Sequence, residues 1–153
     1  MNHTKRSTRL ATIVLSTLVL GACSGEVADT HPDQPVTKRQ QAFKNMLRDF
    51  EPMGTMLRNE RYDPEAFARH ASAVAALKEA PWPHFVADSN YPPTKALAAV
   101  WERRADFERR RADFIAAIDA LSAAAERRDQ AEVRTTFAAA QDSCKACHRE
   151  FRK

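Results

Sequence analysis

The chain is poor in glycine, with three in 153 residues, and almost nothing in it alternates apolar and polar residues with the period of a strand. Ala, Leu, Arg, Glu and Gln are plentiful instead, a helical composition. Long hydrophobic runs are missing too. The apolar stretch Leu10 to Leu20 is about half of what a membrane span requires. No basic stripe interleaved with aromatics is present, which leaves nucleic-acid binding without support. The formal charge of +4 owes much of its excess to Lys5, Arg6 and Arg9, in a stretch from 1 to 22 that holds no Asp or Glu; beyond it stand 21 basic against 20 acidic residues. No nucleophile is paired with a base, so an enzyme acting on organic substrates is not expected. Cysteine is confined to Cys23, Cys144 and Cys147. The length and a hydrophobic content of 44% suit one compact domain with a modest core.

Residues 1 to 9 are polar and positive and lead into the apolar run, which reads as an export signal. The run ends in Leu20, Gly21, Ala22 and Cys23, which resembles the lipobox of bacterial lipoproteins, where the signal is cut before the Cys and that Cys is acylated. The alternative, an ordinary signal cut after Ala22, would leave an unpaired thiol in an oxidising compartment, which is a liability. We therefore expect a signal over 1–22, a lipid anchor on Cys23 and a periplasmic location on the outer or inner membrane, Ser24 resembling outer-membrane sorting signals. Residues 23–35, polar and Pro-containing without periodicity, read as a flexible tether in which His31 is solvated.

Four helical stretches follow. The first, about Val36 to Arg58, carries Phe43, Met46, Leu47, Phe50, Met53 and Leu57 at core spacing, with Pro52 and Gly54 expected to kink or shorten its end. The second begins at Asp63-Pro64, presents Phe67, Ala71, Val74 and Leu77, and stops at Pro81. An irregular crossover from Pro81 to Pro93 carries Trp82, His84, Phe85 and Tyr91. A long third helix is expected from about Thr94 to Arg128, with Leu97, Val100, Trp101, Phe107, Phe114, Ile118 and Leu121 inward and its Arg-rich runs solvated. The fourth starts at Asp129 with Glu132 as its capping-box partner. Four helices with short connections form an antiparallel bundle over 36–153.

Near the C-terminus stands Cys144-Lys145-Ala146-Cys147-His148, the c-type haem attachment signature: two thiols three apart can take the two vinyl groups of one haem, and the next residue can turn its imidazole to the iron. A thioredoxin-like dithiol lacks its βαβ context, and a zinc site lacks a fourth ligand in a paired spacing. Val133, Phe137, Ala140, Cys144, Cys147 and Phe151 form one stripe, which predicts that both thiols and His148 point into the bundle interior. No His or Met follows His148, so whatever faces the haem from the other side comes from upstream.

With KRQQAF in the first helix, LKEAPW ending the second, KALAAVW opening the third and CKACHREFRK at the end, the chain from Lys38 to Lys153 resembles the cytochrome c′ family. The resemblance implies an all-α, up-down-up-down four-helix bundle with one haem c between the helices. It implies thioethers at Cys144 and Cys147, His148 as proximal iron ligand, Arg39 near the haem propionates and Arg152 beside the imidazole. Phe43 falls where the family places the residue over the distal iron face; low-spin members have a ligating Met there. Phe cannot coordinate iron, which implies five-coordinate iron binding nitric oxide or CO, with nitric oxide scavenging as the role. Met46, one turn on, reads as packing; as a sixth ligand it would instead make the chain a low-spin electron carrier between redox partner proteins. Dimerisation is common in the family, although the first two helices show no clear surplus of outward apolar residues. His84 has no role in this reading.

Overall fold

The computed structural model describes residues 27–153; the expected signal and Cys23 lie outside the described residues. Helix α1 spans Pro35–Arg58, α2 Pro64–Leu77, α3 Ala99–Glu102, α4 Arg104–Arg127 and α5 Gln130–Phe151, with a short 3-10 turn at Trp82–His84. With α3 and α4 forming one arm, the chain is a four-helix bundle, as its composition implied. None of the described helices is long and apolar enough to cross a membrane.

The helix starts follow local chemistry. Asp63 accepts from the backbone N–H groups of Glu65 and Ala66, and Asp129 from those of Ala131 and Glu132, each satisfying donors that the first turn leaves free. Glu132 does not complete a capping box; its carboxylate turns to Arg127, which lies nearer across the preceding bend. At α1 no side chain of the N-cap residue helps, and Asp29, eight residues upstream, accepts from the Thr37 N–H at 2.8 Å instead.

Helix α1 runs unbroken through Pro52 to Arg58, so Pro52 and Gly54 do not shorten its end. Gly54 is there for contact rather than for a bend: a Cβ at this position would lie 3.1 Å from the Phe137 ring of α5. Two other expectations about α1 and the third helix also change. Leu47 is 48% exposed, because it lies about 100° around the helix from buried Met46 and further still from Met53. The third helix does not begin at Thr94. Residues 95–97 are held extended by the C-terminus, Leu97 N–H donating to the Phe151 carbonyl at 2.9 Å and Lys153 N–H to the Lys95 carbonyl at 2.8 Å, and the helix breaks again at Arg103. Tertiary pairing overrides the helical propensity of Lys95-Ala96-Leu97.

The core is Met46, Met53 and Leu57 of α1, Phe67, Ala71 and Val74 of α2, Phe107, Phe114, Ile118 and Leu121 of α4, and Val133, Phe137, Ala140 and Phe151 of α5. The Arg-rich runs of α4 are not merely solvated. Arg110 reaches Glu150 of α5 at 2.6 Å and Arg111 reaches Glu79 at 2.8 Å, tying α4 to both neighbours.

Candidate haem site

Three sides of the bundle are closed by extended backbone contact, α1 on α2, α2 on α4 and α4 on α5; the fourth, α1 against α5, is not. These two helices run antiparallel and meet where Phe50 stacks on Phe137, 4.7 Å between ring centroids, and where Arg134 donates to the Leu57 carbonyl at 3.2 Å. Continued toward the C-terminus of α5, that register brings the turn holding Phe43 and Met46 level with Cys144 and Cys147. Phe43 is two turns before Phe50 on the same flank of α1.

Both thiols are free, half-buried and packed against the core, one turn apart on one face of α5. Burial pushes the Cys144 thiol up; burial, with the neighbouring Cys144, pushes Cys147 up to about 11. His148 corrects the expectation that all three groups point inward, for its side chain is exposed. It lies about 160° around α5 from Glu150, which faces α4, and about 60° off the Val133–Phe151 line, on the side that α1 does not cover. Partial covering and the positive charge of Arg152 hold its imidazole below the ordinary pKa, so it is neutral at pH 7 and its lone pair is free to bind a metal. Two thiols on one face, a neutral imidazole beside them and an unclosed helix seam at the same level make a donor set and a setting that fit a covalently attached haem.

The crossover supplies what sequence reasoning missed. Trp82 and Phe85 both pack edge-on to Phe43, at 5.6 and 6.4 Å between centroids, and pass the aromatic contact on to Phe107, Phe114 and Phe151. The cluster of aromatics between two prolines was the available signal, but nothing in it said which helix the crossover covers. Met46 is buried in the core beside them.

Arg39 is only 3% exposed, and its terminal nitrogens bind the same crossover. Nη1 donates to the His84 carbonyl and Ser89 Oγ, and Nη2 to the Ser89 carbonyl and Thr94 Oγ1, all within 2.9 Å. Its guanidinium lies over Phe85 and Trp101, and no carboxylate of the described residues is in ion-pair reach. Burial lowers its pKa, as expected for a cation surrounded by neutral oxygens. His84 thus contributes its backbone carbonyl. Arg152 is exposed and sits in the short bridge between Ala96 and the C-terminus, near enough to His148 to act on its charge.

A sequence profile described as cytochrome c′ matches residues 34–152. The chain belongs to the cytochrome c′ family. Its bundle is similar to the solved cytochrome c′ from Shewanella frigidimarina, at 35% identity and a TM-score of 0.77 over 81% of this chain and 98% of that one. It is also similar to two structures of cytochrome c′ variants from Alcaligenes xylosoxidans, each with a TM-score of 0.75. One is a nitric oxide complex at 29% identity, covering 81% of this chain and 97% of that one. The other has carbon monoxide bound, at 28% identity over 82% and 99%. As a member of the cytochrome c′ family the chain carries covalently attached haem c, and the seam and thiols just described fit such a group.

Proposed function

We propose that the protein is a gas-binding haem protein with five-coordinate iron, taking nitric oxide and CO in an apolar distal space and scavenging nitric oxide at the periplasmic face of a membrane to which acylated Cys23 anchors it. Cys144 and Cys147 hold the haem, and His148 serves as its proximal ligand. The haem would supply the iron that takes the gas. The observation that carries the reading is the side chain level with the attachment motif on α1. It is Phe43, a hydrocarbon ring packed edge-on against Trp82 and Phe85, with no lone pair to offer a metal and no hydrogen bond to offer a bound gas. Ligands that need no such bond are favoured over O₂. The nitric oxide and carbon monoxide complexes of the Alcaligenes relative support the same assignment.

Arg39 fits a haem carboxylate as counter-ion, because a buried guanidinium with only neutral acceptors is an uncompensated charge. Arg152 lies on the proximal side, where its charge adds to the effect of burial in lowering the pKa of the His148 imidazole. Any homodimer would use α1 and α2, where Leu47 is the outward apolar residue on α1.

Optical spectra test the proposal. High-spin bands in the ferric and ferrous protein and a clear shift with CO are expected. Sharp low-spin ferrous bands without a CO response would instead support an electron carrier. The observation behind that second reading is the buried thioether of Met46, one turn from Phe43.

A further inference from the structure

The segment before α1 was expected to be a free tether, yet its last residues are docked. Asp29 accepts from the Tyr91 hydroxyl, from Thr37 N–H at 2.8 Å and from His31 N–H at 3.4 Å, so one carboxylate joins the segment, the first turn of α1 and the crossover. His31 is correspondingly not fully solvated: Asp33 N–H donates to its Nδ1 and its Nε2 lies 3.6 Å from Asp88 on the crossover. Burial opposes ionisation of Asp29, but the hydrogen bonds outweigh it and hold its pKa below the ordinary value.

We infer that this clasp fixes the orientation of the bundle on a lipid bilayer, with the end formed by the start of α1, the crossover and the haem attachment motif turned to the membrane surface. The inference rests on the anchoring of Cys23 proposed above. Six residue steps separate Cys23 from Asp29, a reach of about 20 Å even when fully extended. Helix α1, with 24 residues, is about 36 Å long. While Asp29 stays docked beside the first turn of α1, the opposite end of the bundle cannot be the part presented to the bilayer.

The surface at the clasped end suits that neighbour. Val27, 56% exposed, borders a shallow depression with Pro93 and Lys44; Val86, 40% exposed, lies on the crossover. Lys44 makes no ion pair among the described residues. Apolar side chains with a free cation match the headgroup boundary of an anionic bilayer. The consequence for function is that the haem end meets molecules leaving or held in the membrane before those arriving from the far side.

The test is hydrogen–deuterium exchange on the full, haem-loaded chain bound to phosphatidylglycerol–phosphatidylethanolamine vesicles, compared with a soluble Cys23→Ser form. Exchange over residues 84–91 is expected to slow severalfold on vesicles, with residues 55–62 unchanged. In the Asp29→Asn, Tyr91→Phe double variant the difference between the two ends should vanish. Equal protection at both ends, or none, in a chain shown by mass to be acylated would overturn the inference. If the mass shows an unmodified Cys23, the anchoring reading fails separately. The same chain is then coupled through that thiol to maleimide-lipid vesicles, where the same asymmetry is expected and its absence is decisive.

Discussion

Where Leu57 meets Arg134, Phe50 of α1 and Phe67 of α2 both pack on the Phe137 ring of α5. At the other end of the same two helices, Phe43 and Met46 stand level with two half-buried thiols and an exposed histidine, and the aromatic packing comes from the crossover rather than from the facing helix. The first end is an ordinary core, stable through hydrocarbon contact alone. The second has the donors and the open seam that fit a group the chain does not encode. One heptad-like seam along α5 thus serves two purposes, and the change occurs between Ala140, fully buried, and Cys144.

The two ends should part most sharply at the thiols. A Cys144→Ser, Cys147→Ser double variant should lose all covalent haem in a pyridine haemochrome assay. Amide exchange should then rise at 144–153 and 36–46 far more than around Phe50 and Phe137. Uniform destabilisation would mean that the two ends are one cooperative structure. Conversely, Phe137→Ala, which empties the ordinary core, should cost about 3–5 kcal/mol in denaturant unfolding while leaving the haem spectrum unchanged. An altered spectrum would show that the site depends on the core behind it.

Arg39→Met probes the crossover, which covers the haem end alone. Four oxygen acceptors lose their donor, and a loss of about 2–3 kcal/mol is expected, smaller than for Phe137. It should come with a faster CO reaction as Phe85 loosens over Phe43. Unchanged CO kinetics would separate the crossover from the site. The smallest effect belongs to Tyr91, whose hydroxyl pKa is pushed up to about 12 by burial and by its hydrogen bond to Asp29. Because the folded value lies above the unfolded one near 10, its contribution is complete below pH 10 and disappears as pH rises toward 12. Absorbance at 295 nm should show a phenol ionising late that Tyr91→Phe removes; titration near pH 10 would mean the clasp is not formed.

Much of this molecule was legible in the order of residues. The stripe from Val133 to Phe151 and the caps Asp63 and Asp129 announced a helical bundle, and the spacing of Cys144, Cys147 and His148 announced its cofactor. Three features were not legible, each for a tertiary reason. Ala96 and Leu97 are good helix formers held extended by backbone bonds to the C-terminus, which no local pattern records. His148 follows the thiols in sequence but is exposed because α1 does not close over that flank of α5, a property of two distant helices. Arg39, read from the sequence only as a partner for a haem carboxylate, is also held by four oxygen acceptors 45 to 55 residues away, in the crossover and at Thr94.

In the function proposed above, a non-coordinating ring at position 43 covers the iron and so reserves the site for gases. The most direct measurement is the rate of CO binding to the ferrous protein and to its Phe43→Ala variant. A covering ring predicts a rate increased roughly tenfold or more, equivalent to about 1.4 kcal/mol removed from the barrier, with high-spin bands in both proteins. An unchanged rate, or a low-spin wild-type spectrum indifferent to CO, would contradict it.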